Sequence, residues 1–134
     1  MSAGLPTDRS YTDEHEWVLV YPGAPLPTDE PVRIGITALA ADNLGDLVFV
    51  ELPDIGSTVT AGETCGEVES TKTVSELYSP VTGTVTIVNT AAVDDPSIIT
   101  SDPYEGGWLF AVLATDAGQL LTAAEYAEKN GVGE

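Results

Sequence analysis

Short apolar runs rich in Val, Ile and Thr recur along the chain, each broken by Gly, Pro or Asp. Runs of that length and composition predict many short β-strands. They fall at 17–21, 32–36, 46–52, 63–70, 73–78, 83–89 and 108–113. In the sixth, Val85 and Ile87 alternate with Thr84 and Thr86, the period of a half-buried strand. Thr37 as N-cap and Gly45 beyond the end predict a short helix over 37–43. Residues 94–99, with Pro96 inside, predict a helical turn. Thr122 and Glu125 form a capping box for a C-terminal helix, with Lys129 in its last turn and Gly131 closing it. These elements make a mainly β fold, a small barrel or sandwich with short helices and a C-terminal helix. Four prolines (Pro22, Pro25, Pro27, Pro31) mark an exposed loop over 22–31. Residues 1–10 read as a flexible N-terminus and 11–134 as one domain, which the length of 134 residues also implies.

The middle of the chain repeats itself weakly. An apolar strand, Pro53 and Gly56 are echoed by an apolar strand, Pro80 and Gly83, each followed by a β-branched strand. Two similar halves imply a pseudo-twofold sheet pair with a hairpin between them, and Lys72 lies in that hairpin.

Charge narrows the partners. Lys and Arg number 4 against 22 Asp and Glu, a net charge of −18. Such a chain cannot displace counterions from phosphates, which excludes nucleic acid. It is also repelled by anionic membrane surfaces. The single cysteine excludes an internal disulfide and a Cys-cluster metal site. The first residues show neither a secretory signal nor an Arg-rich transit pattern, and no apolar run nears the roughly 18 residues of a membrane helix. A cytoplasmic protein is expected, mitochondrial only if a presequence has been removed.

Between Arg33 and Lys129 the one cation is Lys72, in the turn Ser70-Thr71-Lys72-Thr73. Most turn lysines only solubilise. Here the turn is symmetric, the lysine is at its tip, and the flanking strands belong to the echoed halves. Free lysine amines are protonated near pH 7 and are poor nucleophiles. An amine presented this way suits a substrate for modification by another enzyme, not a catalyst.

The hairpin GEVESTKTVSELYSPVTG at 66–83 resembles a lipoyl-lysine hairpin, with Gly56 and Gly83 flanking it as glycines do in lipoyl domains. The resemblance extends to the H-protein family of the glycine cleavage system. It is carried by YTDEHEWV at 11–18, IGIT at 34–37, LGDLVFVELP at 44–53, DPYEGGWL at 102–109 and LTAAEY at 121–126, in the family's order. It implies a barrel-sandwich hybrid of the lipoyl/biotinyl type, with lipoic acid amide-linked to Lys72. It implies a non-catalytic carrier that takes the methylamine of glycine from a PLP-dependent glycine decarboxylase to a tetrahydrofolate-dependent aminomethyltransferase. A dihydrolipoyl dehydrogenase then reoxidises the dithiol, and a lipoyl transferase or ligase attaches the group. Positions matching the family's arm cleft are Glu16, Asn43 and Glu76. A monomer is expected, with a possible added role as lipoyl donor. The loop at 22–31 departs from the family's shorter hairpin.

Other readings are weaker. Biotin carriers usually flank their lysine with Met, and Met1 is the only Met here. The blocks at 11–18 and 102–109 argue against a lipoyl domain of a 2-oxoacid dehydrogenase. Glu14, His15 and Glu16 cannot converge on one ion from a strand, where adjacent side chains alternate. Cys65 has no activating cation nearby and reads as a small apolar residue. Trp17 and Trp108 read as core anchors.

Overall fold

The computed structural model describes residues 5–21 and 23–130. Among them lie nine strands and four helices. The strands are β1 (Ser10–Tyr11), β2 (Glu16–Val18), β3 (Val32–Ile36), β4 (Leu47–Glu51), β5 (Thr58–Val59), β6 (Thr64–Ser70), β7 (Val74–Tyr78), β8 (Val81–Val88) and β9 (Phe110–Ala117). The helices are α1 (Ala38–Leu44), α2 (Thr90–Asp94), α3 (Ser97–Ser101) and α4 (Ala123–Asn130). One sheet runs β1-β2-β3-β9-β8-β5 and the other β4-β6-β7. Their inner faces share one core. Val50, Val68 and Leu77 come from the small sheet; Ile34, Val59, Val85 and Val112 come from the large one. Each such fully buried aliphatic side chain contributes roughly 1.5–3 kcal/mol. A second cluster joins Tyr11 and Trp17 to Leu121, Ala123 and Tyr126, docking α4 on β1 and β2.

Helix boundaries follow the capping residues. Thr37 accepts the Ala40 N–H at 3.2 Å, and Gly45 closes α1 at φ +82. Thr122 and Glu125 exchange side chain-to-backbone bonds at 2.9 and 3.0 Å. The expected closing residue Gly131 lies outside the described residues.

Several expectations need correction. The described part of the expected flexible N-terminus, from Leu5 on, is packed: Leu5 lies on the second cluster, Ser10 pairs in β1, and Arg9 is 3% exposed. Arg9 binds Asp8 at 2.9 Å and the Tyr104 carbonyl at 2.9 Å, and stacks 4.7 Å over Trp17. Tyr104 lies 95 residues away, so nothing local announced that contact. The strand expected over 17–21 is only Glu16–Val18. The expected turn at 94–99 is two short helices separated around Asp95 and Pro96. The described part of the 22–31 loop is tied down: Leu26 packs on the core, and the Thr28 N–H donates to the Ala114 carbonyl at 2.9 Å.

The sequence echo survives as topology. At Pro53 and again at Pro80 the chain leaves the small sheet for the large one, and the resulting strands β5 and β8 pair with each other. The echoed glycines do different jobs, however. Gly56 takes a left-handed φ of +91 in open space, which favours glycine. Gly83 lies inside β8, where a Cβ would collide with the Leu113 carbonyl oxygen.

Candidate functional site

β6 and β7 form an antiparallel hairpin closed by the Ser70 N–H donating to the Thr73 carbonyl at 2.8 Å. Two-residue hairpin loops usually need positive φ at the turn. Neither Thr71 nor Lys72 has it. The 5%-exposed Ser70 compensates: its Oγ accepts the N–H groups of Lys72 at 3.2 Å and Thr73 at 3.1 Å. A further bond, Thr71 N–H to the Asp46 carbonyl at 3.1 Å, ties the tip to the segment entering β4. The backbone of Lys72 is therefore held while its side chain is exposed.

The four cations divide cleanly. Arg9 is buried against Asp8 and Trp17, Arg33 lies 4.7 Å over the Trp108 ring, and Lys129 pairs with Asp13 at 3.2 Å. Among the described residues, the Lys72 amine meets no hydrogen-bond acceptor or carboxylate. Its stem lies over Gly45, where an added Cβ would stand 3.5 Å from Cε and 3.7 Å from Nζ.

Carboxylates crowd the hairpin below this tip. Glu51, Glu67 and Glu76 are direct cross-strand neighbours on β4, β6 and β7. Like charges placed opposite one another destabilise a sheet. Glu76 is exposed and accepts the Tyr78 hydroxyl at 3.0 Å, which pushes the phenol up. Glu16 is 2% exposed, and both its oxygens are engaged: Oε1 accepts the Thr12 hydroxyl at 2.8 Å and Oε2 the Tyr78 N–H at 3.1 Å. Burial pushes its carboxyl up to about 8. Together with Glu14 and Tyr78 it lines a cavity of about 170 Å³ at the β7 edge.

The turn delivering Glu16 is strained. His15 holds φ +68, a left-handed value uncommon outside glycine. Its Nδ1 lies 2.7 Å from the Tyr126 hydroxyl, which is itself 2.8 Å from Thr37 Oγ1. His15 is thus a structural clamp joining β2, α1 and α4.

The chain matches the family described as "Glycine cleavage H-protein" over residues 9–131. It is 58% identical over 130 residues to the glycine cleavage system H protein of Corynebacterium aurimucosum, spanning 97% of this chain and 98% of that one. With the corresponding protein of Thermobifida fusca it is 56% identical over 125 residues, 92% of this chain and 94% of that one. The crystal structure of a glycine cleavage system H protein from Mycobacterium marinum superposes with a TM-score of 0.93 at 60% identity, covering 96% of this chain and 100% of that one. The chain belongs to the glycine cleavage H-protein family.

Members of the glycine cleavage H-protein family carry a covalently attached lipoyl group and are not themselves catalytic. The residues here fit that group. A primary amine stands exposed on a held turn, with no partner to displace among the described residues. Of the expected cleft residues, the structure links Glu16 and Glu76 through Tyr78. Asn43 is exposed near the C-terminal end of α1, beside Gly45, and hydrogen-bonds to neither. Sequence reasoning missed Tyr78 and the role of Ser70. The hydroxyl two residues before the lysine was the one available signal for Ser70. Cys65 behaves as expected of a half-buried apolar residue: burial first, then the Glu16 charge, push its thiol up to about 12.

Proposed function

We propose that Lys72 carries the lipoyl group and that the β7 edge, with Glu16, Glu76 and the Asn43 end of α1, receives the loaded arm. The carrier role itself belongs to the family. The chain shuttles the methylamine of glycine from the decarboxylase to the aminomethyltransferase, and dihydrolipoyl dehydrogenase restores the oxidised arm. Bound lipoyl supplies the sulfur that accepts the methylamine and the thiol pair that is reoxidised. The protein supplies position: an arm on a held hairpin keeps a high effective concentration near a docked active site.

The observation that carries the assignment is the free amine of Lys72 in a chain whose other three cations are all engaged. Intact mass of protein from its native host tests it. A lipoyl increment on the peptide holding Lys72 supports the assignment; a biotin increment or an unmodified lysine overturns it.

At the β7 edge a cationic cargo would meet Glu76 directly. Glu16, largely protonated near neutral pH, would give up its proton as the cation approached. Replacing Glu16 and Glu76 by Ala shortens the lifetime of the loaded arm; an unchanged hydrolysis rate refutes this role. The folded unit acts as one carrier domain, monomeric and cytoplasmic, and the same arm is available for relay to other lipoyl-dependent proteins. Its attachment requires a lipoyl transferase or ligase.

A further inference from the structure

Apolar surface and charge coincide at one place away from the lysine. Along the β4 edge lies a groove of about 530 Å³, with Phe49, Ile55, Val88 and Val93 among its apolar walls and Glu51 and Asp54 as its charged members. Phe49 is 50% exposed, Ile55 65% and Val93 41%. Exposed apolar side chains gathered in one place mark an interaction site, whereas scattered ones need no explanation. The groove is also held in shape. Ile55 sits on a turn tied to β8 and to itself: the Gly56 N–H donates to the Val85 carbonyl at 2.7 Å, the Val85 N–H to the Ser57 carbonyl at 2.9 Å, and the Ser57 N–H to the Asp54 carbonyl at 3.0 Å. On the other side α2, which carries Val93, packs against β4. Walls fixed in advance lose little freedom when a partner docks.

We propose that this groove docks the glycine decarboxylase, through a segment of that enzyme bearing apolar side chains with Lys or Arg at their margin. The inference rests on the carrier role and is independent of which residue bears the lipoyl group. Charge complementarity selects a basic segment, since Glu51 and Asp54 belong to a chain of net charge −18. The same charge on each chain disfavours a second copy as occupant. The chemistry of the arm selects the enzyme. A loaded arm offers an ammonium group and a reduced arm two thiols. The oxidised ring, which the decarboxylase receives, offers neither a charge nor a hydrogen-bond donor, so that enzyme has to recognise the body of the carrier. Spacing allows it. The Asp46 carbonyl holds the hairpin tip, and Glu51 stands five residues further along the same strand, about 17 Å away at about 3.3 Å per residue. A standard interface of about 800 Å² per partner is roughly 30 Å across. One contact can therefore take in the groove while the tip stays clear to deliver its arm.

The test uses the full lipoylated chain with the decarboxylase, the aminomethyltransferase and the dihydrolipoyl dehydrogenase of the same host, each assayed separately. Ile55→Asp and, independently, Val93→Asp are expected to raise the decarboxylase KM for the carrier about ten-fold, with kcat unchanged, because only docking is lost. The KM values of the other two enzymes stay as they are. Two positions on different elements are used so that disturbance of α2 alone cannot mimic the result. Direct titration separates docking from attachment. The Lys72→Arg chain is expected to bind the decarboxylase, and adding Ile55→Asp weakens that binding about ten-fold. Added salt weakens it as well, and Asp54→Asn makes it less sensitive to salt. An unchanged decarboxylase KM in both groove variants overturns the proposal, and so does an equal rise for all three enzymes. Absence of a lipoyl increment on Lys72 overturns the attachment site alone, and the titration then still decides the groove.

Discussion

At the β7 edge, Tyr78 donates its backbone N–H to Glu16, a buried carboxyl with both oxygens engaged. At the β4 edge, Phe49 and Val48 stand half-exposed, Phe49 beside a groove lined mainly by apolar side chains together with Glu51 and Asp54. Both edges flank one hairpin and contact the same core, yet they meet water in opposite ways. A strand edge exposes unpaired N–H and C=O groups and must be covered or protected. At the end of β7 the loop that ends in Glu16 covers the Tyr78 N–H. The β4 edge carries a register shift between Leu47 and Phe49 and is flanked by α2. One edge gathers Glu14 and Glu16; the other gathers Phe49, Ile55 and Val93 beside Glu51 and Asp54.

The largest expected effect removes what the two edges share. Lys72→Arg abolishes lipoylation, seen as loss of the mass increment, and with it all support of glycine cleavage. An exposed side chain without partners leaves stability within about 0.5 kcal/mol. A large drop in melting temperature would show that the lysine is structural.

Next comes the β7 brace. Glu16→Ala leaves the Tyr78 N–H and the Thr12 hydroxyl without their acceptor, and stability should fall by about 2–4 kcal/mol. Phe49→Ser at the other edge should change it by no more than about 0.5 kcal/mol. Chemical denaturation of the two variants gives the contrast directly, and equal losses would erase the distinction between the edges.

The same carboxyl predicts a pH effect. Its folded value, pushed up to about 8 by burial, lies above the ordinary 4.5. As pH rises through that window the unfolded chain loses this proton first. Stability contributed by the protonated form is therefore full below about 4.5 and lost by about 8. Relative to Glu16→Gln, the parent should lose stability across this window, by up to a few kcal/mol. Melting curves of the pair from pH 4.5 to 8 check the sign; parallel profiles mean that the carboxyl is not held protonated.

Smaller still is the glutamate row. Glu67 sits between Glu51 and Glu76, so Glu67→Gln should stabilise the sheet by roughly 0.2–1 kcal/mol. Added salt should narrow the gap between variant and parent, since screening weakens the repulsion.

Much of this was legible in local chemistry. The capping residues Thr37 and Thr122 marked their helices because a cap bonds within three residues of itself. The lysine turn, its flanking strands and the Pro–Gly echo were visible for the same reason. The packed lead-in at Arg9 was not, since its partner Tyr104 lies 95 residues away. Nor was the difference between Gly56 and Gly83, which depends on a neighbouring strand supplied by Leu113.

By itself, then, the sequence determined the elements, the mainly β class and the one cation available at a turn tip, because periodicity, caps and charge act over a few residues. Only tertiary structure decided which carboxylates line the β7 edge and in what state. Glu16, Glu14 and Glu76 look alike along the chain. Packing of the β7 edge against the His15 turn buries the first and leaves the other two in water, and burial is what separates their chemistry.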